Sequence, residues 1–351
     1  MKKEDNFKVD GQIEIYEKAV ENNPKDIWSL IRLGYSYTRA NRYRDAINVY
    51  NQALALDPAM YLAHYGLGYS YMKNKNMEDA IRAFKKSLEY NPDYIQAHYR
   101  LGYIACEQQR YEDAIEHLTK LLELEEKHAK GCFCLGKAYN ALEKWDDAIE
   151  VLKKSVELNP KFEFAWYQIS LSYVGKREYQ SALETLQKAI EINPRLEYIY
   201  DQMGRIYLKL RRIKEAIEMH TKAVEIAPKL GYLWKNLGVA YLRDNRHWEA
   251  IASLNKSLEI NKNNGTSHYY LGCSYQNLGE KDLSIKHFKE TLRLLPNHQK
   301  AKLQLLELDK AVTIHENIIK QHNEPEPGVT AEDINDRLKQ LRAKWKENTP
   351  S

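Results

Sequence analysis

Three groups of residues have types and spacings suited to chemistry. Gly131-Cys-Phe-Cys-Leu-Gly136-Lys137 has the glycine and lysine spacing of a phosphate-binding loop, whose backbone N–H groups would cradle phosphate oxygens. His64, His98, Cys132 and His268 fall at one recurring place in the chain and carry metal-ligating atoms. Tyr35, Tyr69 and Tyr103 recur in the same way, with Arg32, Arg39, Lys73 and Arg100 close to them in sequence. The first two readings fail on context. Ala138 stands where a phosphate loop needs a metal-binding Ser or Thr, and no strand precedes the glycines. Equivalent places in stacked helices lie about 8–10 Å apart, whereas ligands of one zinc ion each sit about 2.0–2.3 Å from it. The histidines and Cys132 are therefore expected to be core substitutes for Trp166 and Trp234, which share their place. No nucleophile with a base and an orienting acid can be assembled, so the chain is read as non-enzymatic, with no cofactor, no metal and no small-molecule substrate.

The elements that must position these residues follow from a repeat of 34 residues. Leu67-Gly68 recurs as Leu33-Gly34, Leu101-Gly102, Leu135-Gly136, Ile169-Ser170, Met203-Gly204, Leu237-Gly238 and Leu271-Gly272. Twelve residues after each Gly or Ser comes Ala46, Ala80, Ala114, Ala148, Ala182, Ala216, Ala250 or Ser284. Three residues after it comes a tyrosine in every unit except the one with Ala105. Pro24, Pro58, Pro92, Pro160, Pro194, Pro228 and Pro296 close units, with Glu126 and Lys262 in the two remaining places. The stretch from Met77 to Leu88 has apolar or small residues at i, i+3, i+4 and i+7, one stripe of a helix, and Asn91-Pro92 stops it. Small residues at Gly68 and Ala80 let paired helices approach closely.

This pattern resembles the tetratricopeptide repeat, a helix-turn-helix of the same length with an aromatic, a Leu-Gly, a Tyr, an Ala and a closing Pro. The resemblance implies an all-α fold: a right-handed superhelical solenoid of antiparallel helix pairs with capping helices. Residues 1–26 are expected to form an N-terminal half repeat or capping helix, and 27–298 eight repeat units. A C-terminal capping helix is expected over 299–321, a Pro-containing linker over 322–328, and an amphipathic basic helix and tail over 329–351. The joints at Glu126 and Lys262 are expected either to turn by other residues or to flex.

In the family, the first helices of successive units line a concave groove that holds an extended peptide or a helix. Carried onto this sequence, that groove comprises Arg32, Tyr35, Arg39, Tyr65, Tyr69, Lys73, Tyr99, Arg100, Tyr103, Phe133 and Lys137. Tyrosine and arginine are enriched among residues that dominate binding energy, and the partner expected is an acidic or aromatic peptide. The carboxylate clamp of chaperone-binding family members does not transfer, because Lys235 is followed by Val239 and Tyr270.

Composition is consistent with an adaptor. A charged fraction of 29% and net charge of +4 are too weak a bias to argue for nucleic acid. No run of about 18 apolar residues occurs, the first ten residues lack an apolar signal core, and four unpaired cysteines fit a reduced compartment, so a cytoplasmic location is expected. Two alternatives remain. Ile334, Leu338, Leu341 and Trp345 form one apolar face of the final helix, which could dock on a second copy and make a self-assembling homo-oligomeric scaffold; the opening half repeat could do the same. The basic tail could instead meet RNA or an anionic membrane surface, with a steep salt dependence.

Overall fold

A computed structural model describes residues 2–308, with side chains from residue 10 onward. The described residues are helices joined by short turns, and they divide into two compact units at Ile199 and Tyr200. In the first unit α1 (Lys2–Asn22) precedes five pairs, beginning with α2 (Ile27–Arg39) and α3 (Tyr43–Leu56), then α4 (Tyr61–Lys73) and α5 (Met77–Tyr90). The third pair is α6 (Ile95–Glu107) and α7 (Tyr111–Leu124), the fourth α8 (Ala129–Ala141) and α9 (Trp145–Leu158), the fifth α10 (Glu163–Gly175) and α11 (Tyr179–Ile192). Next come α12 (Glu197–Lys209) and α13 (Ile213–Ile226), α14 (Gly231–Arg243) and α15 (His247–Ile260), and α16 (Gly265–Asn277) and α17 (Lys281–Leu294). Residues 299–308 are helical. The linker and final helix expected beyond them, with Ile334, Leu338, Leu341 and Trp345, lie outside the described residues. No helix among the described residues is long and apolar enough to cross a membrane.

The helices of a pair run antiparallel, and within each compact unit successive pairs pack through α3 on α4, α5 on α6, α7 on α8, α9 on α10, α13 on α14 and α15 on α16, while first helices also touch first helices: α2 on α4, α6 on α8, α8 on α10, and α14 on α16. The repeat glycine explains how. A Cβ added at Gly34 would lie 2.8 Å from the Tyr50 ring, at Gly68 2.8 Å from Phe84, and at Gly272 2.6 Å from Phe288. Each of these partners comes sixteen residues later, from the second helix of the same unit. The glycine therefore admits a large side chain as well as a neighbouring backbone. Phe84, Leu118, Leu152, Leu254 and Phe288 are fully buried there. Each contributes about 1.5–3 kcal/mol of transfer free energy.

Within a unit the turn is made by one residue in the left-handed region: Asn41, Lys75, Gln109, Glu143, Arg177, Arg211, Asn245 and Gly279. Seven of the eight are not glycine, so the turn is held by the packing of the helices it joins. At most joints between units the chain turns on an Asn or Asp, with Glu125, Ala227 and Leu295 at the others. Asp57 Oδ1 accepts from Ala59 N at 2.9 Å, and Asn193 Oδ1 from Arg195 N at 3.1 Å. The joint without proline at Lys262 makes the same turn, Asn261 Oδ1 accepting from Asn263 N at 3.1 Å. At Glu126 the following helix is capped by His128, whose Nδ1 accepts from Gly131 N at 2.8 Å.

The place shared by Trp166, Trp234, His64 and His98 serves the same joints. Trp166 Nε1 donates to the Pro160 carbonyl at 3.1 Å and Trp234 Nε1 to Pro228 at 2.8 Å. His64 and His98 set Nε2 against the carbonyls of Pro58 and Pro92 at 2.9 and 2.7 Å. Histidine replaces tryptophan here as an N–H donor to the closing proline. Of the ring substitutes, His98 is buried whereas His64 is half-buried.

The first unit opens with Ile13 buried and Tyr16 and Val20 packed against the core under α2 and α3. Glu17 accepts a hydrogen bond from the Tyr37 hydroxyl.

Candidate functional site

Ile31, Tyr35 and Arg39 on α2 are four residues apart, as are Tyr65, Tyr69 and Lys73 on α4, so each triplet occupies one face of its helix. Because α2 and α4 lie side by side, the two faces adjoin. They line a cavity of about 630 Å³, shared with Arg32, Thr38, Leu62, Gly66, Tyr94 and Arg100. That volume lies within the range of ligand sites. The wall carries four cations and six tyrosines and no carboxylate.

The floor is set by the second helix of the first pair. A Cβ at Gly66 would overlap the Tyr50 ring, so glycine is what lets that ring reach under α4. Tyr50 is 3% exposed. Burial pushes its phenol up, and does the same to Tyr94. Tyr99, behind the wall, is pushed up to about 12, chiefly by burial. These phenols stay protonated at neutral pH and remain hydrogen-bond donors.

Arg100 is the best-placed cation. Its guanidinium carbon lies 4.8 Å from the Tyr69 ring centroid and 5.3 Å from that of Tyr99. Lys73 Nζ approaches Tyr69 from another side at 5.6 Å. The buried Nε of Arg100 has no acceptor among the described residues. Surface cations nearby are neutralised: Arg42 pairs with Asp45 at 2.6 Å and Arg110 with Asp113 at 2.7 Å. Among the described residues, Arg32, Arg39, Lys73 and Arg100 form no such pair. Such chemistry suits an anion, since a planar guanidinium held on a ring, as that of Arg100 is, is pre-oriented for a carboxylate.

The structure brings Arg32, Tyr35, Arg39, Tyr65, Tyr69, Lys73 and Arg100 into this cavity and leaves four expected residues elsewhere. Tyr99 packs against the core cluster shared by α6, α7 and α8, its ring 5.0 Å from His128. Tyr103 is 40% exposed with its ring 6.4 Å from Tyr99. Phe133 packs on Phe162 at 4.7 Å. Lys137 pairs with Glu107 at 3.3 Å and lines a separate cavity of about 570 Å³ with Asn140 and Gln168. Tyr50, Gly66 and Tyr94 were not anticipated. The signal was available for Tyr50, the only tyrosine at its place among the eight full units, where the others read Phe84, Leu118, Leu152, Leu186, His220, Leu254 and Phe288.

A stack of antiparallel helix pairs presenting side chains from its first helices defines a helical-repeat scaffold. Tetratricopeptide repeat family models match residues 31–89, 71–129, 105–170, 165–196, 197–263 and 265–298, which together span nearly all of the paired helices. The chain belongs to the tetratricopeptide repeat family. It is a protein-interaction scaffold and, like such repeat proteins generally, non-catalytic. A tetratricopeptide repeat protein from Parabacteroides merdae is similar over 71% of this chain and 98% of its own, with a TM-score of 0.57 at 18% identity. YrrB, described as a protein with an unusual peptide-binding site, aligns over 52% of this chain and 94% of its own at 27% identity and TM-score 0.48. MamA aligns over 46% and 95% at 29% identity and TM-score 0.45. No curated protein matches the sequence.

Proposed function

We propose that the groove formed by α2, α4 and the start of α6 binds an acidic segment of a partner protein. Carboxylates of the segment meet Arg32, Arg39, Lys73 and Arg100, and its apolar or aromatic side chains lie on Tyr35, Tyr65 and Tyr69. The observation that carries this reading is a wall of four unpaired cations and six tyrosines without a carboxylate. Charge also argues for a partner in trans. Arg337, Lys339, Arg342, Lys344 and Lys346 make the chain's own last segment basic, so its seating in this cavity would bring like charges together.

Panning a random peptide library on the full chain tests the reading. The expected consensus is rich in Asp and Glu with interspersed Tyr, Phe or Leu, and the selected peptides lose binding to an Arg100→Glu variant that keeps its helical signal. A basic or uncharged consensus, binding indifferent to Arg100→Glu, or displacement of every selected peptide by a short oligonucleotide would each contradict it.

A further inference from the structure

Two histidine pairs occupy the same place in the third and eighth helix pairs. His98 on α6 faces His117 on α7 with their Nδ1 atoms 3.3 Å apart. His268 on α16 faces His287 on α17 with Nδ1 atoms 3.0 Å apart. Both pairs span nineteen residues, and the other units have no histidine at the second place: Val49, Ala83, Val151, Thr185, Met219 and Ser253 stand there. Equivalent places in successive units lie too far apart to share an ion. These donors come from the two helices of one unit and are within bonding reach of a shared ion.

The tautomer favours it. His98 Nε2 lies 2.7 Å from the Pro92 carbonyl oxygen, which can only accept, so the proton is on Nε2 and the lone pair is on Nδ1, toward His117. A backbone carbonyl holding the far ring nitrogen is the arrangement that orients metal-ligating histidines. Lys262 stands where Pro92 does, and its backbone hydrogen-bonds His268. Nitrogens each about 2.0–2.1 Å from a tetrahedral ion lie about 3.3 Å apart. At a right-angled bite the separation is about 2.9 Å, so both pairs fall in the ligating range.

We propose that His98 with His117, and His268 with His287, each bind one divalent transition-metal ion of the zinc class, clamping α6 to α7 and α16 to α17. Among the described residues no third His, Cys, Asp or Glu joins either pair, so water completes the shell. Such sites are open and exchangeable, unlike the closed four-ligand sites that fold small domains. His117, His268 and His287 are half-buried, which leaves an ion a route in.

The test is a Co²⁺ titration of the full chain, free of any purification tag and stripped with chelator, followed by visible absorption and calorimetry. Wild type is expected to bind two ions more than the His117→Gln/His287→Gln double variant, each single variant one more, and Zn²⁺ to displace the cobalt signal. His98→Gln, which keeps an N–H for the Pro92 carbonyl, provides a second variant should His117→Gln lose its helical signal. Equal stoichiometry in wild type and double variant would show that each pair is only an N–H···N hydrogen bond and overturn the proposal.

Discussion

The guanidinium of Arg100, on α6, stacks on the ring of Tyr69, on α4, with 4.8 Å between the guanidinium carbon and the ring centroid. One repeat thus supplies the aromatic platform and the next supplies the charge. Held there, with its Nε unpaired, the fork is positioned before any partner arrives. Pre-orientation reduces the side-chain entropy lost on binding.

Arg100→Ala is expected to weaken capture of a library-selected acidic peptide by about tenfold or more, on the scale of residues that dominate interfaces. Arg100→Lys keeps the charge without the planar fork and should fall between. Tyr69→Ala should match Arg100→Ala, whereas Tyr103→Ala, outside the cavity, should cost about threefold or less. Fluorescence anisotropy on variants of equal helicity measures all four.

Gly66→Ala should lower thermal stability. The new methyl group would meet the Tyr50 ring, and overpacking of this kind costs about 1–3 kcal/mol. Adding Tyr50→Leu, the residue that Leu118, Leu152 and Leu254 supply in other units, should recover most of the loss. If the double variant melts as low as the single one, the Tyr50 contact is not the cause.

The left-handed turns predict an asymmetry. Lys75→Gly and Arg177→Gly should stabilise by about 0.5–1 kcal/mol, because a side chain in that backbone region is strained. Gly279→Ala, where a methyl group would meet nothing within 4 Å, should cost about 1 kcal/mol through backbone strain alone. Asn41→Gly and Asn245→Gly should change little, since asparagine tolerates this region. Urea unfolding of the set checks the signs.

The fold was legible because the repeat period places small, aromatic and proline residues in register from unit to unit, and each mark has a mechanical role that the structure shows. Site residues on one helix face were legible too, since a four-residue spacing fixes their direction: Tyr35 with Arg39, and Tyr69 with Lys73. Residues reaching the cavity from other elements were not. Tyr50 comes from a second helix and Tyr94 from the turn before α6, so no one-helix pattern contains them. Phe133 and Lys137 share the positions of cavity residues, yet Phe162 and Glu107 engage them instead. The His98–His117 pair was not legible because its link crosses one unit, whereas the repeat relates equivalent places in different units.

In the second unit, Asp201 is buried with His220 Nδ1 at 3.1 Å and Asn236 Nδ2 at 2.7 Å. Asp201→Ala should cost about 1–3 kcal/mol by leaving Asn236 Nδ2 without its acceptor and removing the carboxylate beside the buried His220. Asp201→Tyr with His220→Leu installs the residues of the preceding repeat, Tyr167 and Leu186, and should be neutral or stabilising. Additive loss in the double variant would contradict a local, self-contained cluster.

Hydrogen exchange of the full chain with and without a selected acidic peptide tests the central claim most directly. The expected result is added protection in Ile27–Arg39, Tyr61–Lys73 and the first turns of Ile95–Glu107, lost in Arg100→Glu and reduced by salt. Protection confined to other helices, or an unchanged pattern at saturating peptide, would contradict it.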